Sequence, residues 1–146
     1  MTTEQRVIEF HTAFSHPVRD TPQTLCRTEA ILAFALIEEE LRELAEALFP
    51  GITSDPECLP LTSAIGESTL YEPNLIEIAD AIGDLDVVVN GAGIRHGLCM
   101  ESLSREVFRS NMSKLGADGK PLYHPSGKIA KGPGFAPPNI AEAIGL

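Results

Sequence analysis

The chain has few basic residues and no long apolar run. Only 11 of its 146 residues are Lys or Arg, against 21 Asp or Glu, which gives a net charge of −10. Because nucleic-acid binding depends on Lys and Arg that neutralise phosphates, we expect no nucleic-acid partner. No apolar stretch approaches the ~18 residues of a membrane-spanning helix, and the first residues lack the pattern of a signal peptide. We therefore expect no membrane contact and a cytoplasmic location.

Cysteine and histidine are also scarce. The cysteines, Cys26, Cys58 and Cys99, are far apart and form no C-x-x-C pair, which favours reduced thiols. No histidine lies four residues from another, the spacing that places two ligands on one helical face. These patterns argue against a zinc site and against a Cys/His nucleophile pair.

The remaining composition predicts one all-α domain over residues 1–146. Hydrophobic residues make up 43% of the chain, which is enough for a core. Apolar residues at helical spacing predict four helices, and a fifth, short helix follows Pro138. Thr21 and Ser102 are the expected N-caps of the second and fourth helices. The predicted bounds of the four are about 3–14, 21–49, 74–98 and 102–115.

The segment 116–138 differs from the rest of the chain. It contains five glycines and five prolines, interleaved with lysines. We expect an extended basic arm that includes a small β-hairpin over 120–131. The stretch 50–73, with four prolines, is expected to be a surface connection. The predicted architecture is a four- to five-helix bundle with a Gly/Pro-rich C-terminal arm.

Two clusters of acidic residues stand on the second and third helices. Residues three, four and seven apart share one face of a helix, so each cluster points to one side. Bare carboxylates about 4 Å apart repel by roughly 4 kcal/mol per pair near a protein surface. A hard divalent cation relieves this repulsion, and a carboxylate-only shell suits Mg²⁺ or Mn²⁺ rather than zinc. The predicted metal ligands are Glu39, Glu40, Glu43, Glu77, Asp80 and Asp84.

The simpler interpretation is that these acids are solvated. On the second helix, Leu41 belongs to an apolar stripe nearly opposite Glu39, whereas Leu32 lies upstream on the same side as Glu39. This arrangement predicts a helix covered on both sides. The third helix is otherwise almost entirely apolar or glycine from Leu75 to Leu98. A carboxylate there is costly unless it is paired or metal-bound, which favours the metal site.

The order of these acids resembles a known signature. Glu39-Glu40-x-x-Glu43 followed by Glu77-x-x-Asp80 is similar to the E-E-x-x-E … E-x-x-D pattern of the all-α nucleoside triphosphate pyrophosphohydrolases, the MazG-like superfamily that includes phosphoribosyl-ATP pyrophosphohydrolase-like proteins. The segments 107–115, 118–121 and 128–138 resemble the C-terminal part of a bacterial and phage subgroup. The resemblance covers roughly residues 25–140.

One position of the signature stays open. Judged by its spacing to Gly97 and Asn111, Asp84 rather than Asp80 occupies the usual place of the signature aspartate. Ala81 would then stand where a glutamate belongs. Glu77 and Asp80 keep the E-x-x-D pattern one turn earlier, so all three acids remain candidate ligands.

The resemblance implies hydrolysis of a (d)NTP to the (d)NMP and pyrophosphate, with Mg²⁺ or Mn²⁺, in a homodimer or homotetramer whose sites lie at subunit contacts. Glu39 or Glu40 would orient or deprotonate the attacking water. The location would be the bacterial cytoplasm, or the host cytoplasm for a phage-encoded protein. The candidate substrate contacts are Asn111, Lys114, Lys120 and Lys131.

Three alternatives differ from this hypothesis. A non-catalytic regulator of the same fold would bind a nucleotide or a partner helix without turnover. A di-iron bundle requires Glu-x-x-His pairs, which the chain does not have. The segment 85–94 is similar to a strand and turn of short-chain dehydrogenases, but no glycine-rich dinucleotide fingerprint precedes it.

Overall fold

The computed structural model describes residues 1–51 and 71–146 and is helical throughout its regular structure. Within these residues there are five helices and no strand, so the predicted all-α class is confirmed. The segment 85–94 is helical, which removes the dehydrogenase alternative. Most of the predicted 50–73 connection, with Cys58, lies outside the described residues. The helices are α1 (Thr3–Ala13), α2 (Arg27–Leu48), α3 (Leu75–Arg95), α4 (Met100–Met112) and α5 (Ile140–Ala143).

The predicted start of α2 at Thr21 is wrong, because the helix begins after Cys26. The residues before it are bonded to the end of α3 instead of joining the helix. Gln23 N–H donates to the carbonyl of His96 at 2.9 Å. Arg19 pairs with Glu29 at 2.7 Å and also donates to the carbonyl oxygen of residue 95 at 2.6 Å. These bonds join 19–23 to the C-terminal end of α3.

The predicted start of α4 at Ser102 is also wrong. Cys99 is the N-cap, and the N–H of Met100 donates to the carboxylate of Glu4 on α1 at 2.9 Å. A carboxylate at a helix N-terminus satisfies a free N–H and is favoured by the helix dipole. The side chain that caps the first N–H of α4 therefore comes from α1 and not from the N-cap residue itself. The helix ends at Met112 rather than near Leu115.

The framework is the antiparallel pair of α2 and α3. At one end, Asn74 N–H donates to the carbonyl of Ala47 at 3.1 Å. At the other end, Arg19 joins the first turn of α2 to the last turn of α3. Small buried residues occur on both helices, among them Ala33 and Ala81. Short side chains at such a contact allow the two helix axes to approach closely.

Helix α1 covers the second half of α3. Val7 and His11 of α1 are buried, at 2% and 4% exposure. A Cβ atom on Gly91 would lie 3.0 Å from Nε2 of His11, so the two helices meet closely at this glycine. The apolar cover predicted for both sides of α2 is not observed in the described chain, because Leu32 and Leu41 are 48% and 46% exposed.

The arm after α4 contains the predicted hairpin in a minimal form. Tyr123 and Ile129 form an antiparallel bridge, and Gly127 takes a positive φ of 80° in the turn between them. The arm then returns to α4, where the carbonyl of Ala136 accepts hydrogen bonds from the hydroxyls of Ser110 and Ser113. The short last helix, α5, follows as predicted. No described helix is long and apolar enough to cross a membrane.

Candidate active site between α2 and α3

Carboxylates from α2 and α3 converge on Glu40. One carboxylate oxygen of Glu40, Oε2, is buried and has no hydrogen-bond partner among the described residues. Burial raises the pKa of Glu40, and the charges of four neighbouring acids raise this pKa further. We call these five residues the Glu40 cluster: Glu39, Glu40, Glu43, Asp80 and Asp84.

The position of Glu40 follows from the repeat of the helix. Ala33 and Ala47, seven residues before and after it, are both buried. Residues seven apart lie on nearly the same face, so Glu40 is carried at the middle of the apolar side of α2. Asp84 similarly follows the buried Ala81 by three residues on α3. Glu40 therefore stands at the edge of the contact between the two framework helices, whereas Glu39, Glu43, Asp80 and Asp84 are exposed beside it.

The two aspartates differ in their relation to Glu40. Both raise its pKa, but the charge of Asp84 has the larger effect. Asp80, unlike Asp84, also lines the adjacent cavity. Either aspartate could thus share a cation with Glu40, and Asp84 has the stronger effect on the pKa of Glu40.

A cavity of about 430 Å³ opens beside the cluster, between the end of α2 and the start of α3. Glu77, the sixth predicted ligand, lies on its wall together with Glu43 and Asp80. Glu77 is not among the residues that raise the pKa of Glu40. The lining residues are Glu43, Glu46, Ala47, Pro50, Asn74, Glu77, Asp80 and Ala81.

Two polar residues of this lining, Glu46 and Asn74, were not predicted from the sequence. Glu46 lies three residues after Glu43 and seven after Glu39, so helical spacing alone could have placed it on the same side. Asn74 was recognised only as the start of α3 and not as part of a cavity. Its side chain caps the helix by accepting from the N–H of Ile76 at 3.0 Å.

The donor set of the cluster fits a hard divalent cation. In the part of the chain that the structure describes, no three His, Cys, Asp or Glu side chains are already grouped closely enough to hold a metal ion. However, one oxygen of Glu40 is buried without a described partner, and the charges of acids from two helices act on this residue. A cation at this place would give that oxygen a partner and reduce the mutual repulsion. The metal site stays a prediction.

The predicted substrate-binding residues lie at the end of α4 and in the arm. The structure brings two of them together, since Nζ of Lys114 donates to Oδ1 of Asn111 at 2.7 Å. Nζ of Lys131 lies 4.3 Å from the centroid of the Phe135 ring, and Lys120 is exposed. Across 1–51 and 71–146, no ion pair joins any of these lysines to the Glu40 cluster. Their role in substrate binding stays a prediction.

A family model for phosphoribosyl-ATP pyrophosphohydrolase matches residues 7–111. This match covers more than half of the 146 residues and includes both helices that carry the Glu40 cluster. The chain belongs to the phosphoribosyl-ATP pyrophosphohydrolase family. A comparison with curated proteins found no match.

Membership in this family confirms the resemblance to the MazG-like all-α superfamily. It supports a nucleotide pyrophosphohydrolase activity, a hydrolase reaction that releases pyrophosphate. The matched residues end at Asn111, so most of the basic arm lies beyond them. The part shared with the family thus contains the two acidic helices and most of α1 and α4.

Proposed function

We propose that the protein hydrolyses a nucleoside triphosphate, with ribose or deoxyribose, to the monophosphate and pyrophosphate in the presence of Mg²⁺ or Mn²⁺. The single observation that carries this proposal is the convergence of carboxylates from two helices on the buried, unpaired oxygen of Glu40. An acidic site of this kind attracts a triphosphate only when cations compensate its charge. The family match makes the released group pyrophosphate rather than a single phosphate.

The cations would be held by the acids of the Glu40 cluster and by Glu77 at the cavity wall. When bound, such cations neutralise phosphate oxygens and lower the pKa of a bound water. Glu40 or Glu39 orients the attacking water and accepts its proton. The raised pKa of Glu40 suits this role, because a carboxylate of higher pKa is the stronger base. The narrow contact between α2 and α3 limits access of bulk water to the buried side of Glu40.

We further propose that the protein acts as a homodimer or homotetramer. Leu75, Ile82 and Val89 follow each other at seven-residue spacing on α3 and are 78%, 54% and 43% exposed. Phe34 of α2 is also exposed, at 67%. Exposed apolar side chains in such a stripe are typical of helix association.

A substrate screen tests the proposed reaction. Purified protein is incubated with each common NTP and dNTP, and with phosphoribosyl-ATP, in Mg²⁺ or Mn²⁺, and the products are separated by anion-exchange chromatography. The expected result is equal amounts of pyrophosphate and one monophosphate from a subset of these substrates. Release of single phosphate contradicts the proposal. Tight nucleotide binding without any product would instead support the non-catalytic regulator.

A further inference from the structure

Asn74 is an exposed residue that lines the end of the cavity, and both its backbone and its side-chain oxygen are hydrogen-bonded. Its backbone N–H donates to the carbonyl of Ala47 at 3.1 Å, and its Oδ1 accepts from Ile76 N–H at 3.0 Å. These two bonds use the backbone donor and the side-chain acceptor. The Nδ2 group, with two N–H bonds, remains without a partner among the described residues while the side chain lines the cavity.

The other polar side chains of the cavity wall can only accept hydrogen bonds when ionised. Within 1–51 and 71–146 they are all carboxylates, and the remaining lining residues there are Ala47, Pro50 and Ala81. A ligand group that accepts hydrogen bonds is therefore repelled by most of this wall. Among the described side chains that line the cavity, Asn74 is the one that can donate to such a group.

The position of Asn74 relative to the cluster indicates which part of a nucleotide it would meet. Asp80 belongs both to the cluster and to the cavity wall. Asn74 precedes it by six residues, which corresponds to roughly 9 Å along a helix axis at ~1.5 Å per residue. With the phosphates beside the cluster, the nucleoside would extend along the cavity towards Asn74.

We propose that Asn74 is a specificity-determining residue whose Nδ2 group donates a hydrogen bond to an acceptor on the substrate base, either a carbonyl oxygen or a ring nitrogen. The inference rests on the proposed function and adds to it the residue that contacts the base. A donor fixed by two other bonds costs little entropy when it binds, so the contact favours bases that present an acceptor at that place. A base that presents an amino group there meets donor against donor and binds more weakly.

Two substitutions separate the donor role from the capping role. In Asn74→Asp and Asn74→Ser an oxygen can still cap α3, because Asn, Asp and Ser are all strong N-cap residues. Asn74→Asp loses the donor outright, and Asn74→Ser replaces it with a hydroxyl on a shorter side chain that reaches less far into the cavity. We expect KM for the preferred nucleotide to rise by about 3- to 10-fold in Asn74→Ser, the loss of one hydrogen bond. The rise should be larger in Asn74→Asp, whose carboxylate repels the acceptor, and kcat should stay within about twofold in both.

Asn139→Ser is the matched control. Asn139 caps α5 through Oδ1, and its Nδ2 already donates to Glu142 at 2.7 Å. It does not line the cavity between α2 and α3. Its substitution should change neither KM nor the preference among bases, whereas both Asn74 variants should reduce that preference.

The outcomes distinguish this inference from the proposed function. If the wild type turns over a nucleotide and KM is unchanged in both Asn74 variants, the Asn74 inference is overturned and the pyrophosphohydrolase remains. A fall in kcat without a rise in KM also overturns it. If the wild type produces no pyrophosphate from any nucleotide, both proposals fail together.

A second measurement keeps the inference testable if the variants fold poorly. In ¹⁵N-labelled wild-type protein, the side-chain amide signals of Asn74 should shift when the nucleoside monophosphate product is added without metal. The signals of Asn139 should not shift. Unchanged Asn74 signals at a saturating concentration of the product would overturn the inference.

Discussion

Glu40 on α2 and Asp84 on α3 act on each other across the contact between the two framework helices, and the charge of Asp84 helps to raise the pKa of Glu40. The same contact holds the fold together through small buried residues such as Ala33 and Ala81. One oxygen of Glu40 is buried without a partner among the described residues, which is unfavourable for stability. The arrangement therefore favours catalytic activity at the expense of stability. A mutation of Glu40 should change the two properties in opposite directions.

Glu40→Gln should abolish turnover and leave the protein folded. Loss of a positioned base lowers kcat by about 10²- to 10⁴-fold. Without metal, the variant should melt at a higher temperature than the wild type, by roughly 2–4 °C, because the repulsion among the carboxylates decreases. Pyrophosphate release and a thermal melt in EDTA measure the two effects. Glu38→Gln is the control, since Glu38 pairs with Arg42 at 2.7 Å and lies outside the cluster. Full activity in Glu40→Gln would contradict the assignment.

Asp84→Asn should weaken binding of Mn²⁺ more than Asp80→Asn does. Asp84 has the larger effect on Glu40, so it is the better placed of the two to share a cation with it. Loss of a residue that supports a metal ligand lowers metal affinity by ~10- to 100-fold, and loss of a direct ligand should lower the affinity for Mn²⁺ by at least as much. The rise of Tm during a titration with Mn²⁺ measures the affinity, because a ligand of the folded state stabilises it. A weaker effect of Asp84→Asn than of Asp80→Asn would show that the signature aspartate is Asp80.

Gly91→Ala should destabilise the protein by about 1–3 kcal/mol, as expected when a well-packed contact receives an extra methyl group. The new Cβ would lie 3.0 Å from Nε2 and 3.3 Å from Cε1 of the buried His11. Gly83→Ala on the same helix is the matched control, because nothing lies within 4 Å of its Cβ position. There the substitution should stabilise α3 by about 0.5–1 kcal/mol. Urea unfolding measures both, and equal effects of the two changes would contradict the observed packing of α1 on α3.

The ion pair of Glu106 should contribute to stability in a defined pH range. Hydrogen bonds from Arg109, at 2.7 and 2.8 Å, and from the backbone of Asn139 lower the pKa of Glu106 to about 2. A carboxyl group whose pKa is lower in the folded state stabilises the fold above its unfolded pKa and loses this effect as pH falls towards the folded value.

The difference in Tm between the wild type and Glu106→Gln should therefore be constant at neutral pH and shrink from about pH 4.5 to about pH 2. Glu101→Gln is the control, because its pairing with Arg105 at 3.3 Å is largely exposed and should matter little at any pH. A difference for Glu106→Gln that does not change with pH would refute the role of this pair.

Phe34→Glu should convert the proposed oligomer into a monomer. The side chain is 67% exposed and lies on α2, one of the two helices that carry exposed apolar residues. Phe108→Glu tests a separate surface, since Phe108 is 64% exposed on α4. Light scattering after gel filtration gives the mass of each variant. A monomeric wild type, or an oligomer unaffected by Phe34→Glu, would show that the surface of α2 around Phe34 does not form a subunit contact.

The sequence predicted which acids share a side of each helix, because the 3.6-residue period is fixed by the backbone. The sequence did not predict how deeply each side chain is buried. Leu32 and Leu41 lie on different sides of α2, so the pattern allowed either side to be buried, and both leucines are about half exposed in the structure. The depth of Glu40 depends on where α3 packs, which is a tertiary property.

The errors in helix starts have the same origin. Thr21 followed by Pro22 is a good local start signal, yet Gln23 and Arg19 find partners on α3 that hold the segment out of the helix. For α4, the cap comes from Glu4, far away in the sequence. Local signals cannot contain such contacts.

The two halves of helix α3 have different roles. The later turns lie under α1 and contain the tight contact at Gly91, whereas the earlier turns, with Asp80, border the open cavity. Changes near the beginning of this helix should thus alter which nucleotide is accepted while the later turns continue to secure the fold. Such a separation leaves room for related enzymes to diverge in substrate without first acquiring a more stable scaffold.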